Sequence, residues 1–381
     1  MDPGPHERER QALHGVVMVR LLVLALVALS LLAGVAGGLL RAGVPLPGIG
    51  TALWPGQAVL AHAALMVGGF MGTVIGVERA VAVKLRGAWT APLAAGLGGS
   101  MLLLGQAQAG AWLLVAASSV FIAVNIEVVR HQPATHTALL LAGALAWFFG
   151  NLAFAVGVAG AATLPWWFAF LVLTIAAERL EMTRLMRRRP GAQAALCSVL
   201  AALAGGAGLS AFEPVAGGVL YGAALLALAG WLAVFDIARR TLRADGLARY
   251  MAACLLGGYA WLAVAGAAWA ATALGLPLRD TALHALGLGF VVSMMLGHAP
   301  VILPAVARVK LQFGNFFYAP LALLHLSLLL RLAAGWNDPR LRALGALFNA
   351  GAIALFAATV VGAALAWQLR PHGRRRAESP R

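Results

Sequence analysis

Residues 57–86 read QAVLAHAALMVGGFMGTVIGVERAVAVKLR. No charge occurs from Gln57 to Val77, and then Glu78, Arg79, Lys84 and Arg86 close the run. An apolar stretch of about 20 residues covers ~30 Å of hydrocarbon at 1.5 Å per helical residue. The same unit recurs along the chain over 16–40, 89–109, 111–129, 136–159, 164–183, 191–211, 214–237, 249–274, 280–305, 316–335 and 343–367, making twelve spans with the first quoted. Basic residues gather at every second boundary: Arg8/Arg10, Arg79/Lys84/Arg86, Arg130, Arg184/Arg187/Arg188/Arg189, Arg239/Arg240/Arg243, Arg308/Lys310 and Arg370/Arg374/Arg375/Arg376. The alternate boundaries carry Arg41, Glu213, Arg279/Asp280, and Arg340/Arg342 beside Asp338. Lys and Arg are retained on the cytoplasmic side, so both termini are expected inside and the number of spans even.

A chain that is 62% hydrophobic, 11% charged and has a mean hydropathy of +0.87 is not a soluble globular domain. Continuous apolar runs without period-2 alternation select helices over a closed barrel. The expected fold is an all-α polytopic bundle of about twelve transmembrane helices. Residues 1–15 are expected to form a cytoplasmic tail, 16–369 one membrane domain, and 370–381 a basic cytoplasmic tail. The net charge of +15 sits in short turns and that tail. It suits topology and attraction to anionic membrane lipid, and the loops are too short to build a nucleic-acid groove. The first span is too long and too uniformly apolar for a signal peptide and reads as a retained helix. Cys197 and Cys254 stand alone on separate spans as packing residues, and without a C-x-x-C-H stretch no covalently attached haem is expected.

Trp54, and Trp166/Trp167 beside Pro165, read as interfacial anchors. The halves show only a faint echo of one another: His62-Ala63 followed by Gly69-Phe70, and His284-Ala285 followed by Gly289-Phe290. The offsets differ by two residues, so it reads as similar local needs and not as duplication.

Ionisable and ligating groups inside hydrocarbon are costly and call for an explanation. Four histidines are embedded: His62, His284, His298 and His325. His62 on span two and His284 on span ten both lie ~6–8 Å below the outer surface by helical rise. His325 is ~6 Å deeper. Counting α-helical rotation, His298 faces the same way as His284, but ~21 Å further along. Two level imidazoles on different helices are the simplest bis-axial arrangement for a b-type haem. Gly68, Gly69, Gly72 and Gly76 after His62, and Gly287 and Gly289 after His284, would leave room for a flat macrocycle. The other reading has each histidine bonding a backbone carbonyl of a neighbouring helix, with the glycines as ordinary helix contacts. His298, in Gly297-His298-Ala299-Pro300, either repairs the break that Pro300 introduces, ligates a second centre, or belongs to a proton route. His325 is the substitute axial ligand should one of the outer pair fail.

Carboxylates at the cytoplasmic ends (Glu78, Glu127, Glu178, Glu181 and Asp236) read as ion pairs with nearby arginines. Glu178, the deepest, is also a candidate for proton uptake. Asn125, Asn151 and Asn349 are expected to bond between helices.

Three stretches carry a family resemblance: His62-Ala-Ala-Leu-Met-Val-Gly-Gly-Phe70, Gly258-Tyr259-Ala260-Trp261-Leu262, and His284-Ala285-Leu286 through Met294-Met295. They resemble the NnrS family, multispan bacterial membrane proteins associated with haem, copper and the response to nitric oxide. Where that family carries a histidine before its Gly-Tyr-x-Trp stretch, this chain has Leu255, Leu256 and Gly257. A more distant likeness is to subunit I of haem–copper oxidases, in which histidines from spans two and ten hold the low-spin haem. The further histidines of that family's oxygen-reducing centre have no counterpart here.

The resemblance implies an inner-membrane haem b protein, redox or gas-responsive, with His62 and His284 on the iron and nitric oxide as a gaseous ligand. It also brings copper into question, with His298 or His325 at a second metal site. Two other functions stay open. One is a proton-coupled transporter using the same histidines and Glu178; the other is a membrane scaffold or assembly protein without chemistry.

Overall fold

The computed structural model describes residues 5–47, 52–158, 160–182, 190–307 and 309–369, with only the backbone described over 5–17 and 305–307. Among these residues every regular element is helical. Helices satisfy all their own backbone donors and acceptors, which is what hydrocarbon demands of an apolar run. Among the described residues eleven helices are long and apolar enough to cross a bilayer, so the protein is a multi-pass membrane bundle.

In chain order they are α1 (Pro5–Arg41), α2 (His62–Val83), then, after α3, α4 (Ala107–His131), α5 (Thr135–Ala155), α6 (Gly160–Met182), α7 (Ala192–Leu209), α8 (Pro214–Phe235), α9 (Gly246–Ala273), α10 (Arg279–Pro304), α11 (Asn315–Ala334) and α12 (Pro339–Gln368). The third expected span, 89–109, is a shorter helix, α3 (Thr90–Leu103), preceded by one 3₁₀ turn. Its 14 residues rise only ~21 Å. A turn at Gly105, whose φ of +77° suits a residue without a Cβ, leads into α4. At the N-terminus the helix reaches back to Pro5, so residues 5–15 are helical and continuous with α1. The basic groups at Arg184–Arg189, Arg308 and 370–381 lie outside the described residues.

The chain divides into two compact units, residues 1–41 with 45–170, and 42–44 with 171–381. α6 therefore contributes its first half to one and its second half to the other.

The first unit is built on close helix contacts at small residues. Ser30 of α1, Gly69 of α2 and Gly99 of α3 meet so tightly that a Cβ on either glycine would come within 2.8 Å of the serine hydroxyl. Gly98 of α3 and Gly110 of α4 are pressed against each other's carbonyls in the same way. Such contacts give van der Waals packing where lipid removes the hydrophobic incentive to associate. Phe121 of α4, Trp147 of α5 and Phe170 of α6 form an aromatic knot, with ring centroids 5.0–6.1 Å apart. Asn151 of α5 links three helices, donating to the Leu114 carbonyl (2.9 Å) and accepting from the Trp167 indole (2.9 Å). Trp167 is buried, so it is a core strut and not the interfacial anchor expected of it. Asn125 also departs from expectation, bonding Phe121 of its own helix.

In the second unit, α7 packs on α8 at Gly206 and Gly217, and α8 on α9 at Gly222 and Gly266. α9 meets α10 at Gly258, Gly289 and Gly297. Asn349 of α12 donates to Ser327 of α11 (2.6 Å), an interhelical bond of the expected kind.

α2 and α10 share an unexpected winding. Leu65–Gly72 and Ala285–Val292 are both eight-residue π-helices. In each, the second-last pair of glycine and aromatic falls alike: Gly69-Phe70 and Gly289-Phe290, with Thr73 and Ser293 beginning the α-helix beyond. The faint sequence echo therefore marks a common backbone geometry at an offset of 220 residues, in which Glu78 takes the position of His298.

Candidate functional site

The second unit places two arginine–aspartate–histidine clusters on one span. α10 begins with Asp280 and His284, runs through its π segment, and carries His298 near the far end. Fourteen α-helical residues would separate the two histidines by ~21 Å. The expected common facing of these rings rested on α-helical winding throughout, and i→i+5 turns do not keep that phase.

At the far end, Arg179 of α6 grips Asp236, the residue that ends α8. Arg179 Nε donates to Oδ2 (2.9 Å) and Nη2 to Oδ1 (3.1 Å). Both side chains are buried, at 3% and 1% exposure, so this is a charge pair out of water and not a solvated one. The Ala238 backbone N–H adds a third bond to Oδ1 (2.8 Å). Fork-to-fork geometry with extra donors is what a buried pair needs to offset its desolvation. Nearness in the sequence instead pairs Asp236 with Arg239/Arg240, and Arg179 with Glu178. Pairing by sequence proximity fails because Asp236 caps the end of α8 and turns inward, leaving Arg239 and Arg240 exposed. Glu178 is half-buried and its charge acts on Arg179.

The third guanidinium nitrogen, Arg179 Nη1, faces His298 Nε2 at 3.4 Å, and His298 Nδ1 contacts the Met294 carbonyl at 2.7 Å. A guanidinium only donates and a carbonyl only accepts, so His298 is neutral, with its hydrogen on Nδ1 and a lone pair on Nε2. Pro300 frees the Leu296 carbonyl, not that of Met294, so His298 does not repair the proline break. Tyr259 of α9 lies close enough to interact electrostatically with both Arg179 and Asp236.

At the near end, Arg331 of α11 grips Asp280: Nη2 to Oδ1 at 2.8 Å and Nε to Oδ2 at 3.1 Å. His284 Nδ1 lies 2.9 Å from Asp280 Oδ1, and Arg331 Nη2 lies 3.1 Å from Nε2 and 3.3 Å from Nδ1. Arg331 is buried, whereas Asp280 is partly exposed. Arg331 escaped the sequence reading because α11 reads as an apolar run. The signal was there: an arginine inside a span is costly enough to require a partner, and Asp280 opens the neighbouring span.

His325 of α11 belongs to neither cluster. It accepts the Trp261 indole N–H on Nδ1 at 2.7 Å with the rings coplanar to 2°, so its hydrogen is on Nε2. Gly257 backs the ring, where a Cβ would come within 2.9 Å of Nε2. His62, in the first unit, donates from Nδ1 to the Gly34 carbonyl (2.7 Å) and rests against Gly38.

Whether these residues fit a haem can be asked at each histidine. The His62 Nδ1 bond to a carbonyl is the outer-shell contact that orients a ligating imidazole. The glycines do not provide the slot. Gly68 is closed by Leu114, Gly69 by Ser30 and Gly99, Gly72 by the Trp147 ring, and Gly289 by Trp261. Gly287 is half-buried. At His284 a guanidinium already lies against the ring. A macrocycle standing on these glycines and held by His284 does not fit this arrangement. Among the described residues no three His, Cys, Asp or Glu side chains converge on a point that could hold a metal ion.

A family described as a domain of unknown function, DUF8744, matches residues 20–365. The chain belongs to this family. No curated protein matches it. No solved structure matches it either. The matched segment covers both clusters and the eight-residue π-helices of α2 and α10.

Proposed function

We propose that the protein is a proton-linked membrane carrier in which His284 and His298 take up and release protons at opposite ends of α10. One observation carries this reading: a single span presents two histidines, each set against an arginine–aspartate pair whose arginine comes from another span. A proton arriving at His298 must go to Nε2, the nitrogen without hydrogen. That places an imidazolium 3.4 Å from Arg179, a repulsion of ~5 kcal/mol at an effective dielectric constant near 20. Asp236 offsets one cation and not two, so protonation drives the ring and guanidinium apart. Asp280, His284 and Arg331 contain the same elements at the other end. The π segment between them is a place where α10 can rewind and shift one end against the other. Alternating release of two charge locks is a means of opening one side while the other stays shut. In this reading the Arg179 cluster faces the cytoplasm of a bacterial inner membrane, as the basic loops suggest.

The test needs no knowledge of the cargo. Proteoliposomes adsorbed on a solid-supported membrane are given a pH jump, and the displaced charge is recorded. A transient is expected from the wild type and its loss from His284→Ala/His298→Ala. A wild type without a transient, or a double variant that keeps it, removes the proposal.

The haem reading retains one supporting observation, the His62 Nδ1 bond to Gly34. A sharp reduced α-band in purified protein, lost in His62→Ala, would reinstate it.

A further inference from the structure

The connection from α8 to α9 holds a cleft of about 440 Å³ lined by Ala233, Val234, Arg239, Leu242, Arg243 and Leu256. Its composition is divided. Val234 and Leu242 expose about half of their surface, and Leu256 lines the cleft beside them. Arg239 and Arg243, four residues apart across a single helical turn and the bend after it, supply two guanidinium groups.

Neither guanidinium has a hydrogen bond or ion pair among the described residues, and the carboxylates nearest in the chain are engaged elsewhere. Asp236 is held by Arg179 inside the unit, and Asp245 pairs with Arg249 (3.7 Å). Two unneutralised cations therefore stand over an aliphatic wall, at the ends of two membrane spans where lipid headgroups lie. We propose that this cleft binds one anionic phospholipid, its phosphodiester between Arg239 and Arg243 and an acyl chain along Val234, Leu242 and Leu256. Arginine forks match phosphate oxygens in pairs, and a net anionic headgroup is favoured over a zwitterionic one, which brings its own cation. The site is also three residues from Asp236, whose carboxylate is fixed by the Ala238 N–H, so headgroup binding orders the turn that holds the buried pair.

The whole chain in detergent is titrated with dioctanoyl phosphatidylglycerol, with dioctanoyl phosphatidylcholine, and with inorganic phosphate. Thermal unfolding is followed, and bound lipids are counted by native mass spectrometry. Phosphatidylglycerol is expected to raise the unfolding temperature and leave one retained lipid, with phosphatidylcholine and phosphate at least tenfold weaker. Arg239→Gln/Arg243→Gln is expected to weaken phosphatidylglycerol about thirtyfold, at roughly 1 kcal/mol per arginine. Arg249→Gln, outside the cleft, is expected to bind as the wild type does. The proposal is overturned if the double variant keeps the retained lipid, if Arg249→Gln loses it equally, or if phosphatidylcholine or free phosphate matches phosphatidylglycerol. Leu256→Trp, which fills the aliphatic wall, is a second check: it should lower phosphatidylglycerol affinity while leaving free phosphate unchanged.

Discussion

At the scale of single residues, the chemistry of the second unit depends on which atom faces which. Arg179 and Asp236 are buried together and satisfy one another, so removing one is far worse than removing both. Asp236→Asn leaves a guanidinium unpaired in a low-dielectric interior, at a cost of ~3–5 kcal/mol. Arg179→Met/Asp236→Leu, which removes both charges and keeps volume, is expected to recover most of that loss. Thermal unfolding of the wild type, Arg179→Met, Asp236→Leu and the double variant measures it, and equal damage from single and double variants would deny the pair its role. This pairing shows where the sequence stops being legible. Arg179 and Asp236 are individually visible as polar groups near span ends, but 57 residues separate them. Proximity in the chain favoured Arg239, and only the inward turn at the end of α8 decides otherwise. The histidines were legible as embedded groups; the partners that other helices bring to them, Gly34, Arg179, Trp261 and Arg331, were not.

Helices tell a similar story one level up. Span positions follow from apolar length and charged boundaries, and eleven of twelve meet the requirement as helices. α3 falls short because Arg86–Trp89 is spent on a 3₁₀ turn and Leu104–Gln106 on the reversal into α4. The glycine rows were legible as space, but space for what depends on neighbours. In α2 they admit Trp147, Leu114 and Ser30, not a cofactor. A side chain at Gly72 would collide with the Trp147 ring, while Gly351 on α12 has nothing within 4 Å of its Cβ position. Gly72→Leu is therefore expected to destabilise by ~1–3 kcal/mol or to block folding, and Gly351→Leu to stay within ~0.5 kcal/mol of the wild type. Fluorescence-detected size-exclusion after heating separates the two outcomes. The π windings of α2 and α10 had a sequence trace in the paired Gly-Phe steps. Periodicity alone could not convert it into geometry, because uniformly apolar helices have no polar face to mark their phase.

For the whole molecule, the distribution of basic residues sets a topology that the number of crossings must obey. With α3 crossing, both ends of the chain lie on one side; with α3 re-entrant, they lie on opposite sides. The charge pattern predicts the former. Reporters fused before residue 18 and after residue 369, one fluorescent only in the cytoplasm and one active only outside it, are expected to report the cytoplasm at both ends. Opposite sides would show that the 14 residues of α3 turn back within the membrane.

The tautomers of α10 have a kinetic meaning. His298 keeps its Nδ1 hydrogen aimed at a carbonyl that cannot become an acid. A proton that enters at Nε2 must depart from Nε2, since the opposite nitrogen has nowhere to pass its own. In the proposed carrier the ring would be a dead end for Grotthuss hopping, and charge would cross only when the side chain itself swings from one neighbour to another. Turnover would then be paced by that mechanical stroke and saturate with proton concentration, as a ferry does and a wire does not.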